Sequence, residues 1–198
     1  MGYMSKPMIP HYYKALIESR TEKNSSFLWW SILTYYFELH NGYGQKMSFK
    51  YCDGEWQPYV VVSRLESGAF SPVILLDFER ENRFGFVPPV DDPWREVKAR
   101  LEDCLDDMRI ERGDQTTLYA IGTVGSHSRF YCLKPNANKL SSYPGLEEKT
   151  FEIKEDEEQI ERIVLQLIRD SSREVTLFGI AGNKIARLIG SMRCHREG

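Results

Sequence analysis

Apolar residues recur along this chain in two periods, and the switches between them mark its elements. From Phe27 to Leu39 almost every position is apolar or aromatic. A helix with so little polar surface is buried on most sides. Ser25 or Ser26 is the expected cap and Asn41-Gly42 the stop, so this helix is predicted to run to about His40. A shorter helix is expected before it, from His11 to about Arg20, with polar Thr21 to Asn24 as the link.

The period then changes to two. Met47 to Cys52 alternates and Asp53-Gly54 is a hairpin signal. Tyr59 to Leu65 is rich in Val and Tyr, and Glu66-Ser67-Gly68 turns the chain into Pro72 to Phe78. That last run is continuously apolar, as suits a central strand covered on both faces.

Helical spacing returns after Asp92, an N-cap residue followed by Pro93 at the first helical position, where a missing N–H costs nothing. Trp94, Val97, Leu101, Cys104, Leu105 and Met108 form the apolar stripe, and Gly113 ends the helix. Two strands are predicted next, Thr117 to Thr123 and Arg129 to Leu133, joined by a Gly-Ser turn. Asn136 to Gly145 reads as a loop and Phe151 to Ile153 as a short strand. A second amphipathic helix, about Asp156 to Arg169, places Ile160, Ile163, Val164, Leu167 and Ile168 on one face. Val175 to Ile180 reads as a last strand before a basic tail containing Lys184, Arg187, Arg193 and Arg196. The expected fold is one α/β domain over 1–198: a mixed central sheet flanked by helices on both faces.

Composition narrows the function. With 41% hydrophobic residues in 198, the chain has enough apolar material for a core without disulfides or metals. A net charge of −3 weighs against tight, non-specific DNA binding, which ordinarily leaves a basic footprint. Cys52, Cys104, Cys132 and Cys194 are far apart and form no metal-ligand spacing, so free thiols in a reducing compartment are expected. Met1 to Pro10 holds no apolar leader core and no stretch is long enough to span a bilayer, so an intracellular chain without a membrane role is expected.

The elements from Ser26 to Leu133 follow the order helix, three meandering strands, long helix, strand pair. Their motifs are Val73-Ile74-Leu75-Leu76-Asp77-Phe78-Glu79-Arg80, the helix from Pro93, and Tyr119-Ala120-Ile121-Gly122-Thr123-Val124-Gly125 leading to Arg129-Phe130-Tyr131. In this order and these motifs the chain resembles the PD-(D/E)XK nuclease-like superfamily, most of all its divergent fungal members. The resemblance covers about 26–133 and implies a restriction-endonuclease-like core, with the helix and basic tail of 154–198 outside it.

It also implies a chemistry. Such nucleases hold Mg²⁺ on carboxylates, the metal activates a water, and a lysine offsets charge on the phosphate. Asp77 falls on the third-strand acid and Glu38 on the first-helix acid. The lysine position falls on Glu79 and the second-strand acid on Tyr59, after Pro58. Asp53 or Glu55 are replacement acids, and Lys98 a migrated lysine. The catalytic candidates are therefore Asp77, Glu79 and Lys98, and the metal candidates Asp77, Glu79 and Glu38, with Mg²⁺ as the cation.

The plainer alternative makes Asp77 and Glu79, two apart on one strand face, a solvated rim or salt-bridge site. His127 in Gly125-Ser126-His127-Ser128 reads as a turn residue, and Gly179 to Lys184 lacks the ending of a phosphate loop. Trp29, Trp30, Tyr35, Tyr36 and Phe37 read as core or a partner surface. Three functions stay open: a catalytically degenerate module binding protein or nucleic acid, an active Mg²⁺-dependent nuclease with migrated residues, and an enzyme acting on a small molecule.

Overall fold

The computed structural model describes residues 2–19, 22–38, 42–52, 55–66, 68–79, 92–112 and 116–172. A 3₁₀ turn (Tyr3–Ser5) precedes helices α1 (Met8–Ser19) and α2 (Glu22–Tyr36). Strands β1 (Tyr43–Cys52), β2 (Glu55–Glu66) and β3 (Ala69–Glu79) follow, then helix α3 (Pro93–Arg112) and strands β4 (Leu118–Val124) and β5 (His127–Leu133). Short strands β6 (Ser141–Ser142) and β7 (Phe151–Glu152) and a helix α4 over 157–172 complete the described fold.

The strands form one mixed sheet in the order β1-β2-β3-β4-β5-β6, with β7 also on β5. β1, β2 and β3 are an antiparallel meander. β3 and β4 are parallel, and α3 makes the crossover that a parallel pair requires. The remaining pairs are antiparallel. The expected α/β architecture, a mixed sheet with helices on both sides, is what the chain adopts.

Alternation assigns the two faces. Val60, Val62, Ile74, Leu76, Tyr119, Ile121 and Phe130 join the core formed with α1, α2 and α4. Val61, Leu75, Leu118, Ala120, Tyr131 and Leu133 pack instead with Val97, Leu101, Leu105 and Met108 of α3. β3 is therefore buried on both faces from Val73 to Phe78, as its unbroken apolar run predicts.

Several boundaries differ from expectation. α2 begins at Glu22 and ends at Tyr36, rather than running from a Ser25 or Ser26 cap to His40. Both serines are buried inside the helix, and the Ser25 hydroxyl donates to the Gly125 carbonyl at 3.3 Å. The helix stops early because Phe37 turns inward, its ring 5.1 Å from that of Tyr43. β1 and β2 extend beyond their apolar cores because pairing, not side-chain polarity, sets their length. Their register runs from Tyr43↔Arg64 to Cys52↔Glu55. The loop after Asn136 contains the two-residue strand β6. Asp53-Gly54, Arg80 to Asp91, the Val175–Ile180 strand, the Gly179–Lys184 segment and the basic tail lie outside the described residues. Cys104 and Cys132, the cysteines described in full, are thiols outside any disulfide.

α3 approaches the sheet most closely at Gly122, where a Cβ would lie 2.5 Å from Val97 Cγ1. Gly122→Ala should destabilise the fold by roughly 1–3 kcal/mol, through overpacking against a side chain that cannot swing away. Adding Val97→Ala should recover part of that loss, so urea denaturation of the double variant should show less than the sum of the single effects.

Buried phenols supply a pH dependence. Burial pushes the Tyr131 hydroxyl up to about 12 and raises those of Tyr3 and Tyr143 further, with Glu157 adding to the first and Asp170 to the second. In the unfolded chain these groups ionise near 10.0. The folded state thus favours the neutral phenols, a stabilisation complete below pH 10 and lost as pH climbs from there through the folded values. The melting temperature should fall above pH 10, and the part of the phenolate absorbance that belongs to the buried tyrosines should appear together with unfolding.

Candidate functional site

Pairing across the sheet aligns four positions on the α3 face. Tyr59 stands opposite Asp77, Asp77 beside Gly122, and Gly122 opposite Arg129. One step earlier along β3, the parallel row is Val61, Leu75, Ala120 and Tyr131, the apolar floor under α3. The row at Asp77 is thus where the sheet passes from floor to polar groups while still under the helix.

Asp77 is only 6% exposed. A carboxylate taken that far from water needs compensation, and α3 provides it. Arg100 donates to Asp77 Oδ2 from Nε at 3.0 Å and from Nη2 at 2.8 Å. The Asp77 backbone carbonyl accepts from the Thr123 hydroxyl at 3.1 Å. Arg100 sits between Val97 and Leu101 on the inward side of α3, so its side chain enters the helix–sheet interface. Sequence reasoning passed over it. The signal was present, because position 100 belongs to the stripe of 97, 101, 104, 105 and 108 and is its one charged member.

The other candidates lie apart from this pair. Lys98 is two residues from Arg100, about 200° around the helix, and leaves α3 on the opposite flank. Its ammonium is 3.2 Å from Glu148 Oε1 and 5.8 Å from the centre of the Tyr131 ring. Glu38 follows α2, on the far side of the sheet from α3, and is exposed. Glu79 pairs with Val124; its side chain lies outside the described residues, as do Asp53 and the side chain of Glu55. Among the described residues no cluster of three His, Cys, Asp or Glu side chains can hold a metal. The described donors do not fit Mg²⁺: the best-placed carboxylate is held by a guanidinium, and its cross-strand neighbour is a phenol.

At the N-terminal end of α3, Asp92 accepts from the Trp94 amide at 3.1 Å, the cap expected there. The Arg129 guanidinium stacks 4.4 Å from the Trp94 ring and donates from Nε to the Thr150 hydroxyl at 2.8 Å. Asp92, Trp94 and Arg129 line a hollow of about 200 Å³ together with Arg95, Lys98 and Glu148. Most of its charges are already engaged within the chain, so it is a stitched junction between α3, β5 and the following loop.

Compared with protein-family models, curated proteins and solved structures, the chain matches none. Its site is read from its own geometry.

Removing either member of a buried ion pair strands the other. Arg100→Ala and Asp77→Ala should each cost about 3–5 kcal/mol, whereas Asp77→Leu with Arg100→Met should lie close to the parent. Urea denaturation of the four proteins checks this. Single variants as stable as the parent would show that the pair does not support the fold.

Proposed function

We propose that this chain is a non-catalytic binding module on a restriction-endonuclease-like core. The Asp77–Arg100 pair carries the reading. A nuclease of that kind needs its third-strand carboxylate open to a cation, with a second acid beside it and a positive group placed for the phosphate. Here the carboxylate is neutralised from within, and Tyr59 occupies the adjoining place on β2. The order helix, antiparallel meander, crossover helix and parallel strand supports the core assignment. Lys98 is spent on Glu148, on the other flank of α3, which counts against a migrated active site. The net charge of −3 favours a protein over a nucleic acid as the partner.

The test is incubation of purified protein with single- and double-stranded DNA and RNA in Mg²⁺ and in Mn²⁺, beside Asp77→Asn. No cleavage above the variant's background is expected, and titration calorimetry with Mg²⁺ should show no site that the substitution removes. Cleavage that co-purifies with the protein and disappears in Asp77→Asn would replace this reading with an active nuclease.

A further inference from the structure

The outer edge of β1 has no partner strand among the described residues. It is 10 residues long, and such an edge presents a row of backbone donors and acceptors to any extended chain. Alternation sorts its side chains. Lys46, Ser48 and Lys50 share the α3 face with Tyr59 and Val61. Because α3 lies over β3 and β4, that part of the sheet is left open as a cleft of about 370 Å³, bounded on the helix by Asp107. Lys50 is 3.3 Å from Asp107. Burial pulls its ammonium down, but Cys104 and Asp107 outweigh burial and hold it above its usual range, so it stays charged. Lys46 is exposed and makes no ion pair among the described residues.

The opposite face of the same hairpin is aromatic. Phe49 is 57% exposed and Tyr51 60%, with Trp56 across from Tyr51 at 68%. The Tyr51 and Trp56 rings meet edge to face with centres 5.4 Å apart. Phe49 lies opposite Pro58. An edge strand guarded only against association needs charge; it does not need three large exposed rings beside that charge.

We propose that the outer edge of β1 takes up an extended segment of a partner protein as an added strand, with side chains alternating between acidic and apolar. Neighbouring strands lie about 4.8 Å apart with their alternation in phase, so one side chain in two falls beside Lys46 or Lys50 and the others beside Met47, Phe49 and Tyr51. The strongest acidic preference belongs opposite Lys46, since Lys50 is shared with Asp107. A second copy of β1 fits less well: in the antiparallel register centred on Ser48, each Lys46 faces a Lys50, and like charges directly opposite are destabilising. A nucleic acid has neither the backbone ladder nor the alternation, and Asp103 and Asp107 both act on Lys50 from α3. The proposal rests on the binding-module reading and names its partner class.

The experiment is fluorescence anisotropy of the full chain with labelled ten-residue synthetic peptides. One alternates Glu and Val, one alternates Lys and Val, and one is the Glu–Val peptide with every backbone amide N-methylated, so that neither of its edges can donate to β1. Saturable binding of the Glu–Val peptide is expected, at least tenfold tighter than of the other two. Lys46→Glu with Lys50→Glu should weaken it at least tenfold and reverse the preference toward the Lys–Val peptide, a gain that a misfolded protein would not show. Phe49→Ser with Tyr51→Ser should weaken the Glu–Val and the Lys–Val peptide alike. Equal affinity for the three peptides, or no change in the variants, would overturn the proposal. So would displacement of the peptide by oligothymidine, or a concentration-dependent dimer that the lysine variants abolish. Cleavage in the nuclease assay would sink the preceding reading without touching these affinities; failed peptide binding without cleavage sinks the edge proposal alone.

Discussion

Because β3 is paired on both edges and covered on both faces, a polar side chain on it can be satisfied only by something the neighbouring layers bring in. Val73 to Phe78 meets this condition with apolar side chains at every position except Asp77. The molecule answers at that one position with Arg100, drawn from the helix that crosses between β3 and β4. The placement of α3 follows from the same constraint. The helix must come close enough for a guanidinium to reach the strand, and Gly122 in the same row admits Val97 to the sheet.

This arrangement separates a fold from the chemistry its motif implies. An acid at the end of an apolar strand has two routes to compensation, a cation from solvent or a cation from the chain. The second is permanent, and it sets the carboxylate to holding helix against sheet. Tyr59 fits the same logic, since a phenol beside Asp77 brings neither ligand charge nor an extra buried anion.

Much of the fold was legible because periodicity survives in the sequence wherever one face of an element is buried. The helix from Pro93 starts on its Asp92 cap as expected, and β3 declares itself through its unbroken apolar run. Boundaries were legible only where a local cap or breaker sets them. Ser25 and Ser26 look like caps but serve as small buried residues in a helix that starts earlier, and β1 extends through Gln45 and Lys46 because β2 is there to pair with them. The site was half legible. Asp77 stood out as an acid ending an apolar strand. Arg100 did not, because a single arginine in a charged helix draws notice only once that helix's inward side is known. The exposure of Phe49, Tyr51 and Trp56 was hidden for the same reason: alternation along a strand does not tell which part of a sheet face the described helices cover.

The 3₁₀ turn at Tyr3–Ser5 has its own consequence. Tyr3 is buried, its hydroxyl donates to the Ile153 carbonyl, and the Met4 amide donates to Glu157 Oε1 at 2.6 Å. Its partners are therefore 150 and 153 residues further along the chain. On a ribosome adding 5–20 residues per second, the first turn waits roughly 8–30 s for that carbonyl to be made. Until then the face of the sheet that α1, α2 and α4 close is incomplete, and the aromatic side chains of α2 have no finished pocket to enter. The nascent chain must spend that interval with the aromatic side chains of α2 only partly covered, which makes the earliest residues among the last to settle.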